Sequence, residues 1–159
     1  MSSNEMLSIL RETRVFQGLS EEHLNLISSC GNLVTFVKGE TIIREGQQGH
    51  PLFVVVKGQV EVVLPRQVTG QSIDRGTRIK ISDVRPGYCI GEFSLIDKKP
   101  ASASVIASEP CELIEISRPD WEKIINSSDE LAKNIYKNML LIVIKRARQK
   151  IKELDICFY

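Results

Sequence analysis

The sequence predicts a mainly β fold with helices: a double-stranded, jelly-roll-like β-roll flanked by N-terminal helices and a long C-terminal helix. Three observations predict it. Between Leu33 and Ile116, seven short runs rich in Val, Ile, Leu and Phe are separated by turns, with Gly39, Gly46 and Gly49 at the first corners. Outside that region, apolar residues recur at helical spacing instead. At 159 residues, 42% of them hydrophobic and 26% charged, the chain is sized for a single domain with its own core. The expected organisation is helices over 1–31, a β-roll over 32–117 and C-terminal helices over 118–159.

Residues 4–30 read as two helical pieces. Met6, Ile9 and Leu10 share one face; Val15, Phe16 and Leu19 lead through a break at Gly18. Ser20 is an N-cap, followed by Glu21 and Glu22 where the helix dipole favours acid. Leu24, Ile27 and Cys30 form the inner face, and Gly31 stops the helix. The strands expected next are Leu33–Val37, Thr41–Arg44, Leu52–Val56, Gln59–Leu64, Arg78–Val84, Ala103–Ala107 and Glu112–Ile116. Pro65–Thr77 is polar and reads as a long, mobile hairpin loop without a function of its own.

Ser117 caps a short helix with Pro119 near its start and Trp121, Ile124 and Ile125 along it. Ser127 and Glu130 read as a capping box opening a helix from Asp129 to about Asp155. Along it Leu140, Ile144, Ala147, Ile151, Leu154 and Phe158 alternate by four and three, with Tyr136 and Val143 widening the stripe. That is the seam of a coiled coil, and a homodimer through this helix is expected.

A net charge of +1 gives no bulk reason to expect nucleic acid or a membrane surface. The longest apolar run, Met139–Ile144, is far short of the ~20 residues a spanning helix needs. The first ten residues do not read as a leader, so a cytoplasmic chain with four reduced cysteines, Cys30, Cys89, Cys111 and Cys157, is expected. No metal is expected: His23 and His50 lack cysteines at ligand spacing, and Cys89 reads as a core thiol. No nucleophile sits beside a base, so no enzyme is expected. The basic stretch Lys145, Arg146, Arg148, Lys150 and Lys152 reads as a solvated face flanking the seam.

Tyr88 to Val105 carries the chemistry. Gly91, Ala101, Ser102, Ala103 and Ser104 bring almost no side chain, so a ligand can lie against bare backbone. Their N–H groups and hydroxyls can donate to an anion, and Glu92 sets one carboxylate beside them. These residues outline a pocket for a small phosphorylated or otherwise polar ligand.

Four stretches together resemble the cyclic nucleotide-binding domain of CRP/FNR-type transcription factors, cAMP-dependent kinase regulatory subunits and some channels. They are Phe16-Gln-Gly-Leu-Ser20, Lys38-Gly-Glu-Thr-Ile-Ile-Arg-Glu-Gly46, Leu52-Phe-Val-Val-Val-Lys-Gly-Gln-Val-Glu-Val62, and Gly87-Tyr-Cys-Ile-Gly-Glu-Phe-Ser-Leu-Ile96 with Pro100. The resemblance implies a phosphate-binding cassette. Glu92 would accept from the ribose 2′-hydroxyl, the Gly91 and Phe93 N–H groups would face the sugar, and Ser102 and Ala103 would contact the cyclic phosphate. The cassette arginine should fall at position 101, where this sequence has Ala101. Lys98 and Lys99 could partly replace it, as point charges without a guanidinium fork. His50-Pro51 stands where the family often has an acidic or polar turn residue and reads as structural.

The implied function is a regulatory sensor of cAMP or cGMP whose ligand moves the C-terminal dimerisation helix. The alternatives are a domain that kept the fold as a dimerisation or interaction module, and a pocket for a different small ligand. CRP/FNR-type factors read DNA with a helix-turn-helix after the long helix; none follows here, so no direct DNA contact by this chain is expected.

Overall fold

Of the 159 residues, the computed structural model describes 2–67, 72 and 74–157. Helix α1 (Ser3–Glu12) opens on a capping box in which Ser2 and Glu5 satisfy each other's backbone N–H. A 3-10 turn at Arg14–Phe16 leads to α2 (Glu21–Cys30), where the Ser20 hydroxyl accepts from the His23 N–H at 3.2 Å. Eight strands follow: β1 (Gly31–Phe36), β2 (Thr41–Ile43), β3 (Leu52–Lys57), β4 (Val60–Leu64), β5 (Ile79–Val84), β6 (Cys89–Ile90), β7 (Ser104–Ala107) and β8 (Cys111–Ile116). A six-residue helix α3 (Glu92–Asp97) stands between β6 and β7, and α4 (Arg118–Ser127) and α5 (Asp129–Cys157) end the chain. The seven expected strands lie within two residues of their observed bounds. β6 and α3 were not expected: a two-residue strand and a helix without a polar N-cap leave no periodic signal.

The strands form two antiparallel four-stranded sheets, in the orders β1-β8-β3-β6 and β2-β7-β4-β5. The first sheet is covered on both faces. Leu52, Val54, Ile114 and Ile116 point to a cluster with Leu10, Phe16, Leu24, Ile27, Trp121 and Ile124 of the helices. Their strand neighbours Phe53, Val55 and Leu113 point the other way, into a cluster between the sheets with Ile42, Val60, Val84, Ile90 and Val105. β3 therefore reads as a continuous apolar run rather than an alternating one.

One helix expectation is corrected. The cap of α5 is Ser128, not Ser127: the Ser128 hydroxyl accepts from the Leu131 N–H at 3.3 Å, whereas Ser127 donates to the Ile124 carbonyl. The first half of α5 has its own inner face at Leu131, Ile135 and Met139, buried against the other helices. Asn138 fixes it further, donating to the Val15 and Gln17 carbonyls at 3.1 and 2.9 Å. Beyond that anchor Leu140, Ile144, Ile151 and Leu154 are 39–66% exposed, and Ala147 is exposed as well. Phe158 lies outside the described residues. Pro65–Thr77 includes 68–71 and 73, also outside them; its described part carries an isolated Gln67–Asp74 bridge.

Candidate ligand-binding cradle

The cradle begins where β6 pairs with β3 and delivers the chain to Gly91. Gly91 has φ +87°, and a Cβ built there would lie 2.8 Å from the Pro51 carbonyl oxygen and 3.0 Å from the His50 Nδ1. Only glycine meets both demands. His50 is buried, with Nδ1 3.0 Å from the Pro51 carbonyl, and forms the wall behind Gly91.

Gly91 is also the N-cap residue of α3, which makes Glu92 its first helical residue. Ser94 and Leu95 turn inward, while Phe93 and Ile96 face outward. The Glu92 side chain is only 8% exposed, and its Oε1 accepts from Arg146 Nη1 at 2.7 Å. The two residues are 54 apart in sequence. Arg146 is therefore more than part of a solvated basic face, because the fold carries α5 back over α3 and gives the buried carboxylate a partner. Cys89 is buried just behind. Burial pushes its thiol pKa up, with a further push from the Glu92 carboxylate.

After α3 the chain turns at Lys98, which has φ +60°. Lys98 Nζ is 2.9 Å from Glu122 of α4 and holds that carboxyl below the ordinary carboxylate range. The Lys99 N–H donates to Asp97 Oδ1, and its side chain is exposed. Ala101 is buried, and both its backbone groups are used: its N–H donates to the Gln47 carbonyl at 2.9 Å, and its carbonyl accepts from Gly46 at 2.7 Å. Ser102 is exposed and Ala103 half-buried. The buried Ser104 hydroxyl accepts from the Glu45 N–H at 2.8 Å. The 44–47 turn thus forms the outer edge of the cradle.

Two further contacts were missed in the sequence. Arg75 forks onto Glu45, Nη1 to Oε2 at 2.9 Å and Nη2 to Oε1 at 2.6 Å, and also donates to the Pro65 carbonyl. Arg75 therefore ties the described part of 65–77 to the cradle edge. Arg118, at the start of α4, donates to the Ser94 carbonyl at 2.7 Å. Neither pairing leaves a local signal, because each joins elements far apart in the chain. Helix α3 is thereby tied to α4 through Arg118 and Lys98, and to α5 through Arg146. Among the described residues no three His, Cys, Asp or Glu side chains gather as a metal site would require.

Residues 33–128 match the family described as the cyclic nucleotide-binding domain. The chain belongs to that family. It is 27% identical over 154 residues to the cGMP-dependent protein kinase egl-4 of Caenorhabditis elegans, covering 96% of this chain and 19% of the kinase. It is 28% identical over 147 residues to the cyclic AMP receptor protein of Thermus thermophilus, covering 92% of this chain and 63% of the receptor. This cyclic nucleotide-binding domain thus spans a fifth or less of the kinase and under two thirds of the receptor. The crystal structure of the Thermus thermophilus catabolite activator protein superposes with a TM-score of 0.69 at 27% identity, over 91% of this chain and 62% of that one. A cyclic nucleotide-binding domain from Methylobacillus flagellatus superposes with a TM-score of 0.77, over 95% of this chain and 81% of that one; at 24% identity it shows the fold alone. Among the described residues no helix is long and apolar enough to cross a membrane.

Proposed function

We propose that the chain is a non-catalytic sensor module that binds cAMP or cGMP in the Gly91–Ser104 cradle and passes the event to α5. The pairing of buried Glu92 with Arg146 carries this reading. The carboxylate matched to the ribose-binding position is joined directly to the helix that would move. A ligand hydroxyl arriving at Glu92 changes the electrostatics of that pair, so the ligand has unequal affinity for the two helix placements and shifts their populations. The Gly91 and Phe93 N–H groups would meet the sugar, and Ser102 and Ala103 the phosphate. Lys98 would have to leave Glu122 to contribute, and Lys99 would reach in from solvent. Calorimetric titration with cAMP and with cGMP tests the reading. Binding heat together with a rise in melting temperature is expected; neither signal at millimolar ligand sinks it.

Ala101 favours a second reading. A charge-assisted bond to phosphate is worth about 1.5–3 kcal/mol, and this position supplies none. The domain would then serve as a homodimerisation or interaction module through the exposed α5 stripe, or hold a different small ligand. Under that reading nucleotides leave the melting temperature unchanged, and an Ala101→Arg variant gains cAMP binding that the native chain lacks.

A further inference from the structure

We propose that Arg146 is itself a ligand-binding residue, supplying from α5 the guanidinium that position 101 does not provide; this rests on the cradle being a ligand site. Arg146 engages Glu92 through Nη1 alone. Among the described residues its Nε and Nη2 have no partner, and the side chain is 38% exposed. A guanidinium held by one nitrogen keeps a planar fork of donors aimed elsewhere, the geometry that takes an oxyanion in two parallel bonds.

Glu92 is arranged the same way. Oε1 is taken by Arg146, while Oε2 has no hydrogen-bond partner among the described residues. The pair therefore offers an open acceptor and an open donor fork side by side at one rim. The ligand class that satisfies both presents a hydroxyl next to an anionic group, as a ribose hydroxyl stands next to a cyclic phosphate. The ion pair need not break. Glu92 holds Arg146 in place, which limits the side-chain entropy lost on binding.

Of the other cations near the cradle, Lys98 is committed to Glu122, Arg75 to Glu45 and Arg118 to Ser94, while the Lys99 side chain is exposed to solvent. Because Arg146 stands on α5, this contact would also make the helix part of the site wall. Ligand would then hold α5 down on α3, where a guanidinium at position 101 would anchor the ligand to the β-roll alone.

Titration of cAMP and cGMP into the native chain, Arg146→Gln, Arg146→Lys and Arg146→Ala tests this. Glutamine can still donate to Glu92, so it keeps the buried acceptor satisfied while removing the charge. Ligand-free melting curves confirm that each variant is folded. For whichever nucleotide the native chain binds, the expected result is a ten- to hundredfold weaker Kd in Arg146→Gln, a smaller loss in Arg146→Lys, and a salt dependence in the native chain that Arg146→Gln lacks. Equal or tighter binding by Arg146→Gln overturns the inference and leaves the sensor reading standing. No binding by the native chain removes the sensor reading, and this inference falls with it.

Discussion

Arg75 and Glu45 close a two-pronged ion pair, 2.6 and 2.9 Å long, between the hairpin after β4 and the turn that edges the cradle. The side chains are 19% and 13% exposed, and Arg75 caps the Pro65 carbonyl as well. Replacing Arg75 by alanine leaves Glu45 largely enclosed with no partner. Arg75→Ala is expected to lower the melting temperature. Arg75→Lys, which keeps the charge and loses the fork, should fall between it and the native chain. Equal melting temperatures for all three would mean that the pair contributes nothing to stability.

Gly91 allows no side chain. Its φ of +87° and the 2.8 Å approach of the Pro51 carbonyl oblige Gly91→Ala to strain the backbone or push the His50 wall away. A destabilisation of roughly 1–3 kcal/mol is expected in denaturant unfolding, with loss of nucleotide binding beyond what the stability change explains. A variant as stable as the native chain would show that the wall yields freely.

Cys89 gives a pH dependence with a definite sign. Burial raises its pKa in the folded chain, so the thiol keeps its proton there while the unfolded thiol ionises above about pH 8.5. Above that pH the unfolded state binds fewer protons, and stability falls as pH rises; below it this contribution is fully present. The slope from one such thiol is about 1.4 kcal/mol per pH unit. Urea unfolding of the native chain and of Cys89→Ala between pH 8 and 10 should show the shallower decline in the variant. Parallel curves would contradict the assignment.

The exposed stripe on α5 predicts self-association. Leu140, Ile144, Ala147, Ile151 and Leu154 repeat at heptad spacing and are not covered by the domain itself. Sedimentation of the native chain should give a dimer, and Ile144→Glu with Leu154→Glu a monomer of unchanged fold. A native monomer at high micromolar concentration would remove the stripe as an interface.

Much of the roll was legible because its signals are local. Ser20 and Ser117 sit at their caps as expected, and the strands keep their β-rich runs and glycine corners. The cradle was legible in part. Gly91, Glu92 and Ala101 stood out through a motif, which is a local pattern too. The contacts that eluded sequence reading share one property. Glu92–Arg146, Glu45–Arg75 and Arg118–Ser94 join residues 54, 30 and 24 positions apart, and Arg146, Glu45, Arg75 and Arg118 each look locally like an ordinary surface charge. α3 escaped for another reason. Its cap is a glycine in the left-handed region, and six residues are too few to show a period.

The pinning of α5 at Asn138 and Met139 has a mechanical consequence. From Met139 to Ile156 the helix runs on for about 25 Å at 1.5 Å per residue, with Arg146 touching the body partway along. Under the proposed coupling it would act as a lever with its fulcrum at the anchored turn. A tilt of about 5° there, well under 1 Å at the fulcrum, sweeps the far end through roughly 2 Å. A ligand that shifts one guanidinium slightly would be amplified by length alone, without any refolding of the roll.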